Sequence, residues 1–184
     1  MNAFSEGVLH ITDIGGYDHM LFLLAMSAPF TVKDWKSLIL LATAFTLGHS
    51  VTLALAGFQL VKFNSDLIEL LIPITIALTS LYCFFYGENK VSFTSYAMVA
   101  TFGLIHGLGF SSYFRMMFDE GTDAMKNLFL FNLGVEFGQV VVLVVILALF
   151  LAIDQIIRKL ELRKRIVAGS CLLVAGYLVF NLVQ

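Results

Sequence analysis

The chain has 184 residues, 59% of them hydrophobic and only 13% charged, with a formal net charge of −2 and a mean hydropathy of +0.91. Soluble domains hold roughly 45–50% apolar residues and about a quarter charged ones, so the composition points to a membrane protein. The near-zero charge gives no footing for nucleic-acid binding, and two cysteines (Cys83, Cys171) without a CxxC spacing exclude a disulfide framework or a thiolate zinc site.

The opening residues, MNAFSEGVLHITD, lack the positive stretch of a secretory signal. The apolar part of this first segment is therefore expected to stay in the mature protein. A spanning helix needs about 20 largely apolar residues. His19 to Val32 carries no Asp, Glu, Lys or Arg but is too short to cross alone. It becomes long enough only if Phe4 to Tyr17 contributes, and Gly15-Gly16 lies between the two pieces. Adjacent glycines weaken a helix, so the first helix is predicted to be broken there. Ser37 to Val61, Leu70 to Gly87, Val91 to Phe114 and Ile166 to Gln184 are free of those four residue types. Asn127 to Ile153 is interrupted only by Glu136. The expected fold is all-α: one transmembrane domain over 1–184, six spanning helices, the first broken near Gly15-Gly16.

Six spans put both termini on one side. The connections after spans one, three and five hold Lys33, Lys36, Lys90, Arg158, Lys159, Arg163, Lys164 and Arg165, and the other two hold only Lys62, Arg115 and Lys126. The positive-inside rule then places both termini outside the cytoplasm, in what is expected to be a bacterial inner membrane. The connection between spans four and five also carries Asp119, Glu120 and Asp123. An acidic outer loop could concentrate cations near an entrance, although an ordinary solvated loop has the same composition.

Ionisable side chains inside a bilayer cost about 2.5–3.5 kcal/mol each and are functional candidates by default. All four histidines, His10, His19, His49 and His106, fall in or at the edge of a predicted span. Glu136 is the one acid deep within a span, and Asp13 and Asp18 flank the break. Asn132, Glu136 and Gln139 are spaced i, i+4, i+7 on one helix face, and Thr46, His49 and Ser50 share another. Gly103-x-x-x-Gly107 brackets His106, and Gly134-x-x-x-Gly138 brackets Glu136. Such pairs let helices approach closely and are also candidate faces for a homo-oligomer. Phe45-x-Leu47-x-His49 recurs as Phe102-x-Leu104-x-His106.

Each of these residues also has a plain structural role open to it. A membrane histidine can be a hydrogen-bonded packing residue, Asp18 a helix cap, and Glu136 with its neighbours an interhelical clasp. Together, several imidazoles with two carboxylates in a low-dielectric setting suit a divalent transition metal: nickel, cobalt, zinc, copper or iron. Two carboxylates would cancel the ion's charge, with Asp18 acting as a ligand or orienting His19. Three functions fit such a set. One is a permease for the metal ion. Another is an intramembrane zinc hydrolase using three histidines, an aspartate and Ser50. The last is a haem protein with two axial histidines.

The blocks HITDIGGYDHMLF, TAFTLGHSVTLALA (Thr43 to Ala56), FGLIHGLGF (Phe102 to Phe110) and FNLGVEFGQ (Phe131 to Gln139) resemble, in order, those of the HupE/UreJ family. These are small membrane proteins associated with hydrogenase and urease operons. Ile11 stands where many members of the family carry a proline close behind the first motif histidine. The resemblance implies a nickel or nickel/cobalt permease in which His10, Asp18, His19, His49, His106 and Glu136 handle the metal. Thr46, Ser50, Asn132, Gln139 and Asp13 are the expected supporting polar residues.

Overall fold

The computed structural model describes residues 2–86, 91–117 and 123–184. Seven α-helices occur among the described residues, and no strand: α1 (Ala3–Thr12), α2 (Asp18–Ser27), α3 (Trp35–Gly57), α4 (Ser65–Phe85), α5 (Phe93–Met117), α6 (Ala124–Ile157) and α7 (Leu160–Val183). Short 3-10 turns at Ile14–Gly16 and Val32–Asp34 lead into α2 and α3. Helices α3 to α7 are long and apolar enough to cross a membrane. The expected first crossing is instead two helices of 10 residues each, neither able to cross singly. Among the described residues, five single helices therefore have the length and composition of a crossing.

The break falls where the sequence placed it. Asp13 ends α1, and its carboxylate accepts from Gly15 N at 2.9 Å, capping the 3-10 turn. Elsewhere helices outrun their charge-free stretches, because the end turns leave the apolar band and can carry charge. Asn64 caps α4 through Leu67 N at 3.2 Å, with Asp66 in the first turn. The connection between α6 and α7 shrinks to Arg158 and Lys159, with Arg158 in the left-handed region at φ 53°. Arg163 and Lys164, expected in that connection, are buried within α7. Lys90, Asp119 and Glu120 lie outside the described residues.

Two parallel helix pairs form the interior, and glycines set both. A Cβ at Gly103 would overlap the Phe45 carbonyl oxygen, and one at Gly107 the carbonyl of His49. One at Gly48 would strike the Ala100 carbonyl. The register advances in the same sense on α3 and α5, so the two run parallel with backbones in contact. Thr52 Oγ1 adds a hydrogen bond across them to Leu104 O, at 2.7 Å. In the second pair Gly134 lies on Phe4 and Val8 of α1, Gly138 on Val8 and Ile11, and Gly7 of α1 on Phe131 of α6. The glycines of both Gly-x-x-x-Gly pairs thus pack against helices of the same chain. Large apolar side chains such as Leu40, Leu47, Val144, Val145 and Leu149 point outward instead, as lipid contact requires.

The far end of α2 is tied down by Arg163, whose side chain is fully buried. Its Nε pairs with Asp154 Oδ1 at 2.8 Å, its Nη2 donates to Phe30 O at 2.7 Å, and its guanidinium lies 4.0 Å from the Phe150 ring centroid. One side chain thereby joins the ends of α2 and α6 to the start of α7. Cys83 and Cys171 are both free and buried, as their apolar setting implied.

Gly103→Val is expected to destabilise the protein by about 1–3 kcal/mol through overpacking, whereas Gly176→Ala, with nothing within 4 Å of the new methyl, leaves the thermal midpoint in detergent unchanged. Arg163→Met leaves Asp154 without its partner and is expected to cost on the order of 3 kcal/mol in the same measurement.

Candidate metal centre

Four helices deliver one imidazole each. His10 lies in the last turn of α1 and His19 in the first turn of α2. His49 and His106 sit within α3 and α5, set face to face by the glycine contacts just described. The ring centroids of His10 and His19 are 4.5 Å apart, those of His19 and His106 5.0 Å, His10 and His49 5.5 Å, and His19 and His49 5.9 Å. Ligand atoms of His10, His19 and His49 lie within 4.8 Å of one another, and so do those of Asp18, His19 and His106. His19 belongs to both sets and joins them.

The hydrogen bonds determine which nitrogens are free. Thr75 Oγ1 lies 2.7 Å from Ile72 O and 2.9 Å from His106 Nε2, so the hydroxyl holds Nε2, and Nδ1 is the nitrogen of His106 left without a partner. Asp18 Oδ1 lies 3.3 Å from His19 Nδ1. A carboxylate accepts, so Nδ1 carries that proton and Nε2 is free. His10 Nε2, His19 Nε2 and His106 Nδ1 are buried without a partner among the described residues, and the Asn132 side chain reaches His49. Buried polar atoms are normally paired. Several orphaned lone pairs in one place are what a cation would satisfy.

The surroundings are aromatic. Phe110 lies 3.9 Å from the His10 ring, Phe45 5.1 Å from His106, and Phe22 5.7 Å from His106, centroid to centroid. At metal–nitrogen bonds of about 2.0–2.1 Å, bound ligand atoms stand about 3–4 Å apart, so these side chains need only a slight contraction to close on an ion. Asp18 is the first residue of α2, and its side chain does not cap the helix. Its charge is left to face the imidazoles.

A cavity of about 870 Å³ reaches this cluster. His10, Asp18, His19 and His106 line its inner part, and it opens beside the exposed Asp13 and Ile14. Thr75, Glu6 and Glu69 are additions that sequence reasoning missed. Glu6 could have been found from its i, i+4 spacing to His10, and Thr75 as a hydroxyl inside an apolar run.

Glu136 is placed apart from the imidazoles, belonging to neither set of converging ligand atoms. Thr43 Oγ1 donates to its Oε1, and Thr46 Oγ1 donates to Gln139 Oε1 at 2.8 Å. The side of α6 opposite its glycines is therefore clasped to α3. Asn132 Nδ2 donates back to Leu128 O at 2.9 Å. Ser50 Oγ donates to Thr46 O at 2.6 Å. Thr46, Ser50, Asn132 and Glu136, with Asp123 at the start of α6, line a second cavity of about 850 Å³. The expected single pocket is thus divided, because Glu136 turns toward α3 while its glycines bind α1.

Long apolar helices around a buried cluster of imidazoles define a polytopic membrane protein with a candidate cation site. The chain belongs to the HupE/UreJ family: a family model described as HupE / UreJ protein matches residues 1–184, its whole length. Comparison with curated proteins finds no match, and comparison with solved structures finds none. With the family and the apolar helices together, the chain is an integral membrane protein.

Thr75→Val removes the hydroxyl that orients His106 and is expected to weaken cobalt(II) binding about 10–100-fold, read by titrating visible cobalt absorption in detergent.

Proposed function

We propose that this protein is a permease for a divalent transition-metal ion, nickel favoured, with His10, His19, His49, His106 and Asp18 as the station that the ion occupies in transit. The gathering of buried imidazole nitrogens into two adjoining sets that share His19 carries this reading. Neutral imidazole suits nickel, cobalt, zinc, copper and iron alike, and membership of the HupE/UreJ family favours nickel or cobalt. With Glu136 outside the group, Asp18 is the one carboxylate among the converging ligand atoms. An occupied site would keep about one positive charge, which favours release over permanent retention.

A permease must open its site to both sides in turn. The cavity at α1 and α4 supplies one opening. At the other end of α2 the Arg163 clasp ties three helix ends together, so release on that side would require the clasp to part. The basic residues around that end fit a cytoplasmic location.

The competing readings gain less from the geometry. A hydrolase would want Ser50 at the metal, yet Ser50 lines the other cavity and spends its hydroxyl on Thr46 O. Axial haem ligands must stand on opposite faces of a porphyrin. Imidazole centroids 4.5–5.9 Å apart leave no room for a macrocycle between them.

Proteoliposomes should take up radioactive nickel or cobalt above the level of empty vesicles, and His49→Ala should abolish both uptake and the cobalt absorption band. Glu136→Gln should keep the band, since its carboxylate stands outside the imidazole group. Absence of uptake for nickel, cobalt, zinc, iron and copper would overturn the permease reading.

A further inference from the structure

The cavity leading to the histidines carries a charge pattern that the imidazole cluster does not account for. Four of its lining residues are acids, Glu6, Asp13, Asp18 and Glu69, and among the described residues no lysine or arginine lines it. Asp18 belongs to the metal centre and Asp13 caps a turn. Glu6 and Glu69 have no such duty. Glu6 is only 6% exposed, and no hydrogen bond or ion pair reaches its carboxylate among the described residues. With no protein partner among those residues, the Glu6 carboxylate is left facing the cavity that it lines. Glu6 lies one helical turn before His10, so both side chains share a face of α1. That face, continued by Asp13, forms one wall of the cavity. Glu69, exposed in the first turns of α4, contributes to the same cavity.

We propose that Glu6 and Glu69 form a capture station for a hydrated divalent cation, upstream of the histidines and distinct from them. This rests on the permease reading, which it deepens by assigning the side of entry and the first groups the ion meets. The chemistry is graded along the cavity. Carboxylate oxygens at the mouth accept a cation that still carries water, and the imidazole nitrogens beyond replace that water with softer donors. The field of the acids in a low-dielectric cleft also raises the local concentration of cations and speeds their arrival. Anions and uncharged solutes gain nothing from such a cleft. Glu6, buried beside His10, is the point of hand-over; Glu69, more exposed, is the outer contact.

The test is stopped-flow binding of cobalt(II) to the full chain in detergent, followed by the visible band that imidazole coordination produces. The double variant Glu6→Gln/Glu69→Gln should bind with the same final spectrum. Its association rate at low ionic strength should fall about tenfold or more, and the dependence of that rate on salt should flatten. Because Glu6 is buried and its variant could fold poorly, Glu69→Lys at the exposed position is the companion. It should slow association with the spectrum again unchanged. Unchanged rates in both variants would overturn the capture station while leaving the histidine site standing. An altered final spectrum would also overturn it, since the carboxylates would then belong to the histidine site itself. If the wild-type chain gave no cobalt band at all, the permease reading would fall first and the capture station with it.

Discussion

The backbone contact between α3 and α5 is the constraint from which the rest of the site follows. Gly103 and Gly107 rest on the carbonyls of Phe45 and His49, and Gly48 rests on that of Ala100. Only residues without a Cβ allow helices so close, and a membrane interior offers no stronger way to hold two apolar helices in one register than such packing. The contact fixes the rotation of both helices. His49 and His106 are each adjacent to a contacting glycine, so both turn inward, where they are fully enclosed. The recurrence of Phe-x-Leu-x-His on the two helices therefore has a structural counterpart, because each motif packs against the other in a parallel pair.

The broken first segment supplies what a continuous helix could not. A straight helix through residues 10 to 19 would separate His10 and His19 by about 13 Å along its axis. The turn from Asp13 to Tyr17 instead brings their rings to 4.5 Å. The break also starts a new helix at Asp18, leaving the carboxylate beside His19 at the positive end of α2. Non-helical backbone is tolerated in a membrane protein where it lines a cavity, and here it forms one edge of the cavity mouth.

Polar groups elsewhere in the spans do different work. Thr43 and Thr46 spend their hydroxyls on Glu136 and Gln139, joining α3 to α6. Arg163 gathers three helix ends with an ion pair, a hydrogen bond and a ring contact. These groups reach across to neighbouring helices, whereas, among the described residues, His10 Nε2, His19 Nε2 and His106 Nδ1 are buried within the cluster without a partner. That difference separates polar residues that hold the helices together from those free to meet an ion.

The sequence by itself determined the class of protein, the five long apolar helices, the break at Gly15-Gly16 and the identity of the imidazoles and Asp18 as unusual residues for a bilayer. These are local properties: hydropathy over about 20 residues, glycine's poor helix propensity, and the desolvation cost of an ionisable group. Only the tertiary structure decided which polar residues meet. It sent Glu136 to Thr43 rather than to the histidines, used the glycine pairs within the chain, drew Arg163 out of its expected connection, and brought in Thr75, Glu6 and Glu69. The physical reason is that an apolar helix carries almost no signal for its own rotation. With lipid and protein equally apolar, the facing side is chosen by close approach at glycines and by single hydrogen bonds between helices. Those partners lie about 50 to 130 residues apart in the chain.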